Sequence, residues 1–366
     1  MTTSIAITGA TALVGPELEL VEDARLVIDD GTIAAIGRAS STSAAADEVL
    51  EAPDLLLLPG FIDSHVHIGF VDPHLVLAGG VTTVRDLAWP RPLIYPVMRE
   101  SRDPSFDGPR VLAAGPMLTA PGGYPTRAAW APPGTGLELH GITEARRVVE
   151  ELHRDGVSVI KVALEPTVGP TLDVATLRAI ADAAHRVGLK VTAHIGWVEE
   201  LEKAIAAGID ELAHMLMSRD EIPDRVLQTM VQANMVVVPT LAVFFGDDLP
   251  VAVDNLRRFR AAGGTVVYGT DLGNAGPRPG IDPREIDGLM ATDFTTHDIV
   301  AAATVTAANH LGATGAGVLE PGADADVIGV PRRALQDPRA LTEVALVFRG
   351  GRRVQPPSTR SERTDL

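Results

Sequence analysis

Residues 157–194 read VSVIKVALEPTVGPTLDVATLRAIADAAHRVGLKVTAH, and the order of patterns within them decides the fold class. Residues 157–162 are a β-branched run with almost no polar alternation, the mark of a strand buried on both faces. Asp173 can cap a helix over 174–187, and Gly188 can stop it. Residues 189–193 then return to a strand pattern. Strand, helix and strand in this order predict a βα unit, whose strands pair in parallel.

The same unit recurs on both sides. Residues 198–207 read as a helix ended by Gly208, followed by a short strand over 209–213. Further strands are predicted at 235–239 and 265–269, and earlier ones at 61–66, 81–84 and 110–114. Eight strands separated by helical patterns favour a closed (β/α)8 TIM barrel. The alternative is an open doubly wound sheet. Its dinucleotide-binding version is weakened because no G-x-G-x-x-G follows the first strand.

The ends of the chain differ from the middle. Residues 5–8, 24–28 and 32–36 read as short strands, the last two joined by the turn Asp29-Asp30-Gly31. Strands return at 326–330 and 344–348, before the turn at Gly350-Gly351. The predicted organisation is an α/β barrel over 59–314 beside a small β-sandwich built from residues 1–58 and 315–354. Residues 355–366 are polar and rich in Pro, Ser and Arg, and are expected to be a disordered tail.

Composition narrows the chemistry. The chain has 366 residues, of which 46% are hydrophobic, enough for a substantial core. Its net charge of −17 disfavours nucleic acid and anionic membranes as partners. Neither a leader pattern nor an apolar run of about 18–20 residues is present, so a cytoplasmic protein acting on a small molecule is expected. A homo-oligomer is compatible with the sequence. With no cysteine, disulfides, thiolate metal sites and thiol catalysis are excluded. Any metal must be held by His, Asp, Glu or a modified side chain.

Candidate ligands fall at predicted strand ends. His65 and His67 are two apart on the first strand, so they project from one face roughly 6.6 Å apart and could chelate one ion. Lys161 sits inside the buried run of strand four. A buried ammonium without a partner is costly, so this lysine is neutral, paired or modified. A neutral amine can capture carbon dioxide, giving a carbamate able to bridge two metals. His194 ends strand five, His214 ends strand six, and Asp271 follows strand eight. Each alone has an ordinary structural explanation, such as a helix cap for Asp271. Together they lie on the C-terminal rim, where barrel enzymes carry their sites.

At this point the sequence resembles the amidohydrolase superfamily, in its binuclear subtype with a carboxylated lysine. The resemblance rests on Pro59-Gly60-Phe61-Ile62-Asp63-Ser64-His65-Val66-His67, on Gly80-Val81-Thr82-Thr83-Val84-Arg85-Asp86, and on Pro321-Gly322-Ala323-Asp324-Ala325-Asp326. The imidazolonepropionase-like and prolidase-like branches are the nearest in character. The resemblance implies that His65, His67 and Asp271 bind the more buried metal, that His194 and His214 bind the more exposed one, and that carboxylated Lys161 bridges them. It implies a bridging hydroxide that attacks a carbonyl, with Asp271 as the general acid and base. Zinc suits such ligands, and manganese, cobalt or iron would also be accepted.

The bond implied is an amide-type C–N bond: N-acyl, peptide-like or cyclic. A lactone or phosphoester hydrolase would use the same site. A heterocycle deaminase is disfavoured by the strand-four lysine, and a non-enzymatic scaffold by the complete ligand set. In the long loop 115–141, prolidase-like relatives often carry Gly-Gly-His-Gly, whose His meets a substrate carboxylate. This chain has Gly122-Gly123-Tyr124-Pro125, and Tyr124 could donate to a carbonyl or oxyanion. Trp89, Trp130 and Trp197 all fall in predicted βα loops and suggest an aromatic-walled pocket. Arg127 and Arg278 could meet a carboxylate from rim loops. His140 lies near the site by loop position. His74, His153, His185, His297 and His310 read as structural or surface residues.

Overall fold

The computed structural model describes residues 3–355, apart from Met217 and Arg219. The expected tail lies, beyond Gln355, outside the described residues.

The two chain ends build one eight-stranded sheet. Ile5–Val14 pairs with Glu19–Asp29 along its length, and Thr32–Arg38 follows antiparallel. Asp30 and Gly31 form the two-residue hairpin loop at φ 44° and 79°, the left-handed pair that a type I′ turn requires. The C-terminal strands join through Val327–Pro331, antiparallel to Leu55–Pro59 in the register Val327↔Pro59 to Pro331↔Leu55. Ile7, Leu26, Ile33, Leu57, Val327 and Phe348 form a separate core under this sheet. The expected pairing of the ends is therefore present, in one hydrogen-bonded sheet. The sheet forks at its first strand, where Ile5–Thr8 meets Glu48–Glu51 and Thr11–Ala12 meets Leu55–Pro59. A register shift around Gly9 separates the two pairings.

Between these ends lies a mixed α/β body with eight parallel strands. They are Phe61–Val66, Val81–Asp86, Arg110–Ala113, Val159–Leu164, Lys190–Ile195, Glu211–Leu212, Val236–Val237 and Thr265–Val266. The first three form one ladder and the other five another. Two seams close the ring. Ser158 N donates to Ala113 O at 2.9 Å, and Ser64 N to Tyr268 O at 3.0 Å. The helix Val174–Arg186 begins where the Asp173 carboxylate accepts from Thr176 N. The helix Val198–Ala207 ends in the left-handed Gly208. Both boundaries follow from the capping chemistry read in the sequence.

The long loop is more structured than expected. It holds the short strands Met117–Thr119 and Gly136–Glu138, which pair with each other and extend the larger ladder beside Val159–Leu164.

The barrel interior is polar below its functional rim. Glu211 is fully buried and accepts from Arg85 Nη2 with both oxygens, at 2.6 and 2.8 Å. His310 Nε2 meets the same carboxylate at 2.5 Å. Burial pushes the Glu211 carboxyl up, but Arg85 and His310 outweigh it and hold it below the usual carboxylate range. His310 is thus an interior residue, its side chain 6% exposed.

Candidate metal centre

The first strand delivers His65 from its end and His67 from the residue just beyond. The eighth strand runs directly alongside. A Cβ at Gly269 would lie 2.3 Å from Val238 and 3.1 Å from His65 N, so only glycine permits this approach. Asp271 N then donates to His65 O at 2.8 Å. Below, Asp63 binds the two strand ends together, accepting from Thr270 Oγ1 at 2.6 Å and from His65 N at 3.1 Å. Burial pushes its carboxyl up to about 7.

His65 Nε2 and His67 Nε2 lie 3.3 and 3.2 Å from Asp271 Oδ1. The candidate ligand atoms of these three residues all fall within 4.8 Å of one another. Two more imidazoles complete a cluster: the His214 ring is 4.5 Å from that of His65 and 4.9 Å from that of His194. Lys161 enters the same cavity from the fourth strand. It is 1% exposed, and its Nζ has no hydrogen-bond partner among the described residues. The structure brings together all six residues singled out from the strand ends.

The far nitrogens of the rings show how the cluster is aimed. His65 Nδ1 lies 2.8 Å from Ala213 O, and His214 Nδ1 lies 3.0 Å from Thr240 Oγ1. His194 Nε2 faces Glu165 Oε2 at 3.7 Å. For His65 and His194 the opposite nitrogen is left for the centre, the arrangement by which outer contacts orient metal-binding imidazoles, whereas His214 Nδ1 also lies 3.7 Å from Asp271 Oδ2. His67 Nδ1 and Asp86 Oδ1 are both buried without a hydrogen-bond partner, and the Asp86 charge acts on His67.

Two of these residues sit in strained backbone. Asp271 has φ 58° and the β-branched Thr240 has φ 46°, each a conformation costing about 1–3 kcal/mol. Thr240, Glu165 and Asp86 escaped the sequence reading. Their one available signal was position, since each stands at or just after a strand end on the same rim.

The electrostatics suit neutral ligands. Burial pulls His65 and His214 well below the usual imidazole value, with Lys161 and neighbouring histidines adding to it. Burial also lowers His194. His67 differs, because the close contact and charge of Asp271 outweigh its burial and raise it. Burial pulls Lys161 down to about 7, against the opposing charges of Asp271 and Glu211. Glu165 is held near 2, chiefly by its contact with His194.

Residues 56–354 match the profile of the Amidohydrolase family. The chain belongs to this family. Among curated relatives of this amidohydrolase, an uncharacterised protein of Mycobacterium tuberculosis is 27% identical, over 87% of this chain and 90% of its own. The ochratoxinase of Aspergillus niger is 24% identical, over 96% of this chain and 87% of its own. Among solved structures, a putative prolidase from Bifidobacterium longum superposes with a TM-score of 0.82 at 25% identity. That match covers 97% of this chain and 95% of the prolidase.

The amidohydrolase cavity over the cluster has a volume of about 210 Å³. Its walls are Phe70, Met117, Tyr124, Trp130 and Asn274. The Tyr124 ring stacks on His194 at 5.0 Å, and Trp130 lies 5.5 Å from His67. The Tyr124 and Trp130 ring centroids lie 6.1 Å apart, and burial, with the Asp271 charge, pushes the phenol up to about 12. Trp89 does not line the cavity. It lies behind Phe70, with ring centroids 4.7 Å apart, and so supports the wall. Trp197 precedes the helix Val198–Ala207 and is also off the cavity lining. Arg127, Arg278 and His140 are exposed or outside the lining. Phe70, Met117 and Asn274 were not anticipated from sequence.

Proposed function

We propose that this amidohydrolase is a binuclear metal-dependent enzyme that hydrolyses an amide-type C–N bond. The observation that carries the reading is Lys161: a fully buried amine with no partner, facing four histidines and a carboxylate oxygen that also lacks one. Burial keeps much of this amine neutral near pH 7. Nucleophilic addition of its nitrogen to carbon dioxide, with loss of one proton, gives a carbamate with two ligand oxygens.

The donor set fits two divalent ions. His65, His67 and Asp271 would hold the inner one and His194 and His214 the outer, with the Lys161 carbamate between them. The ligands are imidazole nitrogen and carboxylate oxygen throughout, a set suited to zinc and also accepted by manganese, cobalt or iron. When bound, such ions supply a water acidified toward neutral pH and a Lewis acid for the carbonyl.

The chain's own groups do the rest. Asp271 Oδ1, free of hydrogen bonds, takes the proton from the attacking water and returns it to the leaving nitrogen. Tyr124 stays protonated at neutral pH and donates to the carbonyl oxygen as charge develops there. Trp130 and Phe70 exclude water from the reacting groups.

Elemental analysis of protein expressed with added zinc or manganese should give about two ions per chain. Lys161→Ala should lose the pair and recover part of it with short carboxylic acids. Wild-type protein without metal, or a fully active Lys161→Ala variant without additive, would refute the assignment.

A further inference from the structure

The walls of the cavity speak to the substrate, as the floor does to the chemistry. Phe70, Met117 and Trp130 present apolar surface, and Tyr124 and Asn274 present neutral polar groups. Among the described residues, Lys161 is the one cationic side chain on the lining, and it lies at the floor with the ligands. The two rim arginines that could meet a carboxylate are exposed and off the lining. Asp271 lies within the cavity and Glu165 is an anion beside His194. With the two ions held at the floor, a substrate carboxylate packed on the wall would still lose its water with no described cationic side chain there to replace it.

Size limits the ligand further. A volume of about 210 Å³ falls below the ~300–1,000 Å³ of pockets for drug-sized ligands. It suits one ring and the scissile group. Tyr124 lies beside Trp130, ring centroids 6.1 Å apart, and lines the cavity with its phenol available to a ligand. Phe70 and Trp130 face each other with centroids 6.3 Å apart, edge to face, and form an aromatic corner beside that hydroxyl.

We propose that the substrates are small uncharged amides carrying one aromatic or compact apolar group, packed in the Phe70–Trp130 corner with the carbonyl accepting from Tyr124. This rests on the hydrolase reading above and narrows it. N-acyl amino acids and dipeptides, whose carboxylates would lie beside the scissile bond, are disfavoured.

The test compares matched probes on metal-loaded enzyme: benzamide with N-benzoylglycine, and acetanilide with its carboxymethyl counterpart, by calorimetric binding and by hydrolysis. The neutral member of each pair should bind at least about 30-fold more tightly. Trp130→Ala should weaken benzamide binding by about 10-fold at unchanged metal content. Tyr124→Phe, which keeps the ring, should lower kcat on acetanilide by about 100-fold with KM little changed. Equal or tighter binding of the carboxylate members, or no binding of either, would overturn the substrate class. If the neutral amides bind but nothing is hydrolysed with two metals present, the hydrolase reading fails and the ligand preference stands.

Discussion

Replacing Lys161 with methionine should stabilise the protein when no metal or carbon dioxide is present. The side chain is 1% exposed and has no partner for its Nζ. Burial pulls it from an ordinary value of 10.5 down to about 7. Each unit of that shift corresponds to ~1.36 kcal/mol, so a protonated Lys161 opposes folding by about 5 kcal/mol at pH below 7. The sign follows from proton counts. Between pH 7 and 10.5 the unfolded chain holds the proton and the folded chain does not. Stability of the metal-free wild type therefore rises with pH across that window, by up to about 1.4 kcal/mol per unit. Methionine has similar length and no charge, so Lys161→Met should remove both the penalty and the slope. At about 2.1 cal/mol/K of unfolding entropy per residue, the gain near pH 6.5 corresponds to roughly 6 °C in Tm. Chelated protein in carbon-dioxide-depleted buffer, unfolded with urea from pH 6 to 10, measures both quantities. An unchanged or lower stability for Lys161→Met at pH 6.5, with a flat wild-type trend, would refute the reasoning.

Two other outcomes follow from buried contacts. Arg85→Met leaves Glu211 buried with His310 as its remaining partner and should cost about 3–5 kcal/mol in urea unfolding; the double variant Arg85→Met/Glu211→Met should recover much of it. Thr240→Val removes the hydroxyl 3.0 Å from His214 Nδ1 and should weaken the more loosely held metal about 10–100-fold in a chelator competition, with stability changed far less.

The six candidate ligands were legible in the sequence because each lies within or shortly after a strand, and strands are set by local pattern. Asp63, Thr270 and Gly269 then bring the first and eighth strands into contact, which no local pattern describes. The wall was less legible for the same reason. Trp89 and Trp130 both fall in βα loops, but the Phe70 ring between them decides which indole faces the cavity. His310 read only as structural or surface because its helix, Val305–Leu311, shows nothing in sequence of the Glu211 carboxylate it reaches. The single terminal sheet depends on pairing residues near 57 with residues near 329, and alternation along either strand is silent about how many layers result.

That terminal pairing ties the metal site to the order of synthesis. Leu55–Pro59 runs through Gly60 directly into the strand carrying His65, and Gly60 N donates to Asp326 O at 2.9 Å. The partner strand Val327–Pro331 is made near the end of translation. On the ribosome, Leu55–Pro59, which leads into the strand bearing His65, therefore waits without this partner while the barrel emerges. Contacts spanning so much chain form slowly and leave apolar edges exposed meanwhile. Loss of the last strands would thus weaken the candidate metal site, although they begin more than fifty residues after Asp271 in sequence, by leaving the first barrel strand without its anchor.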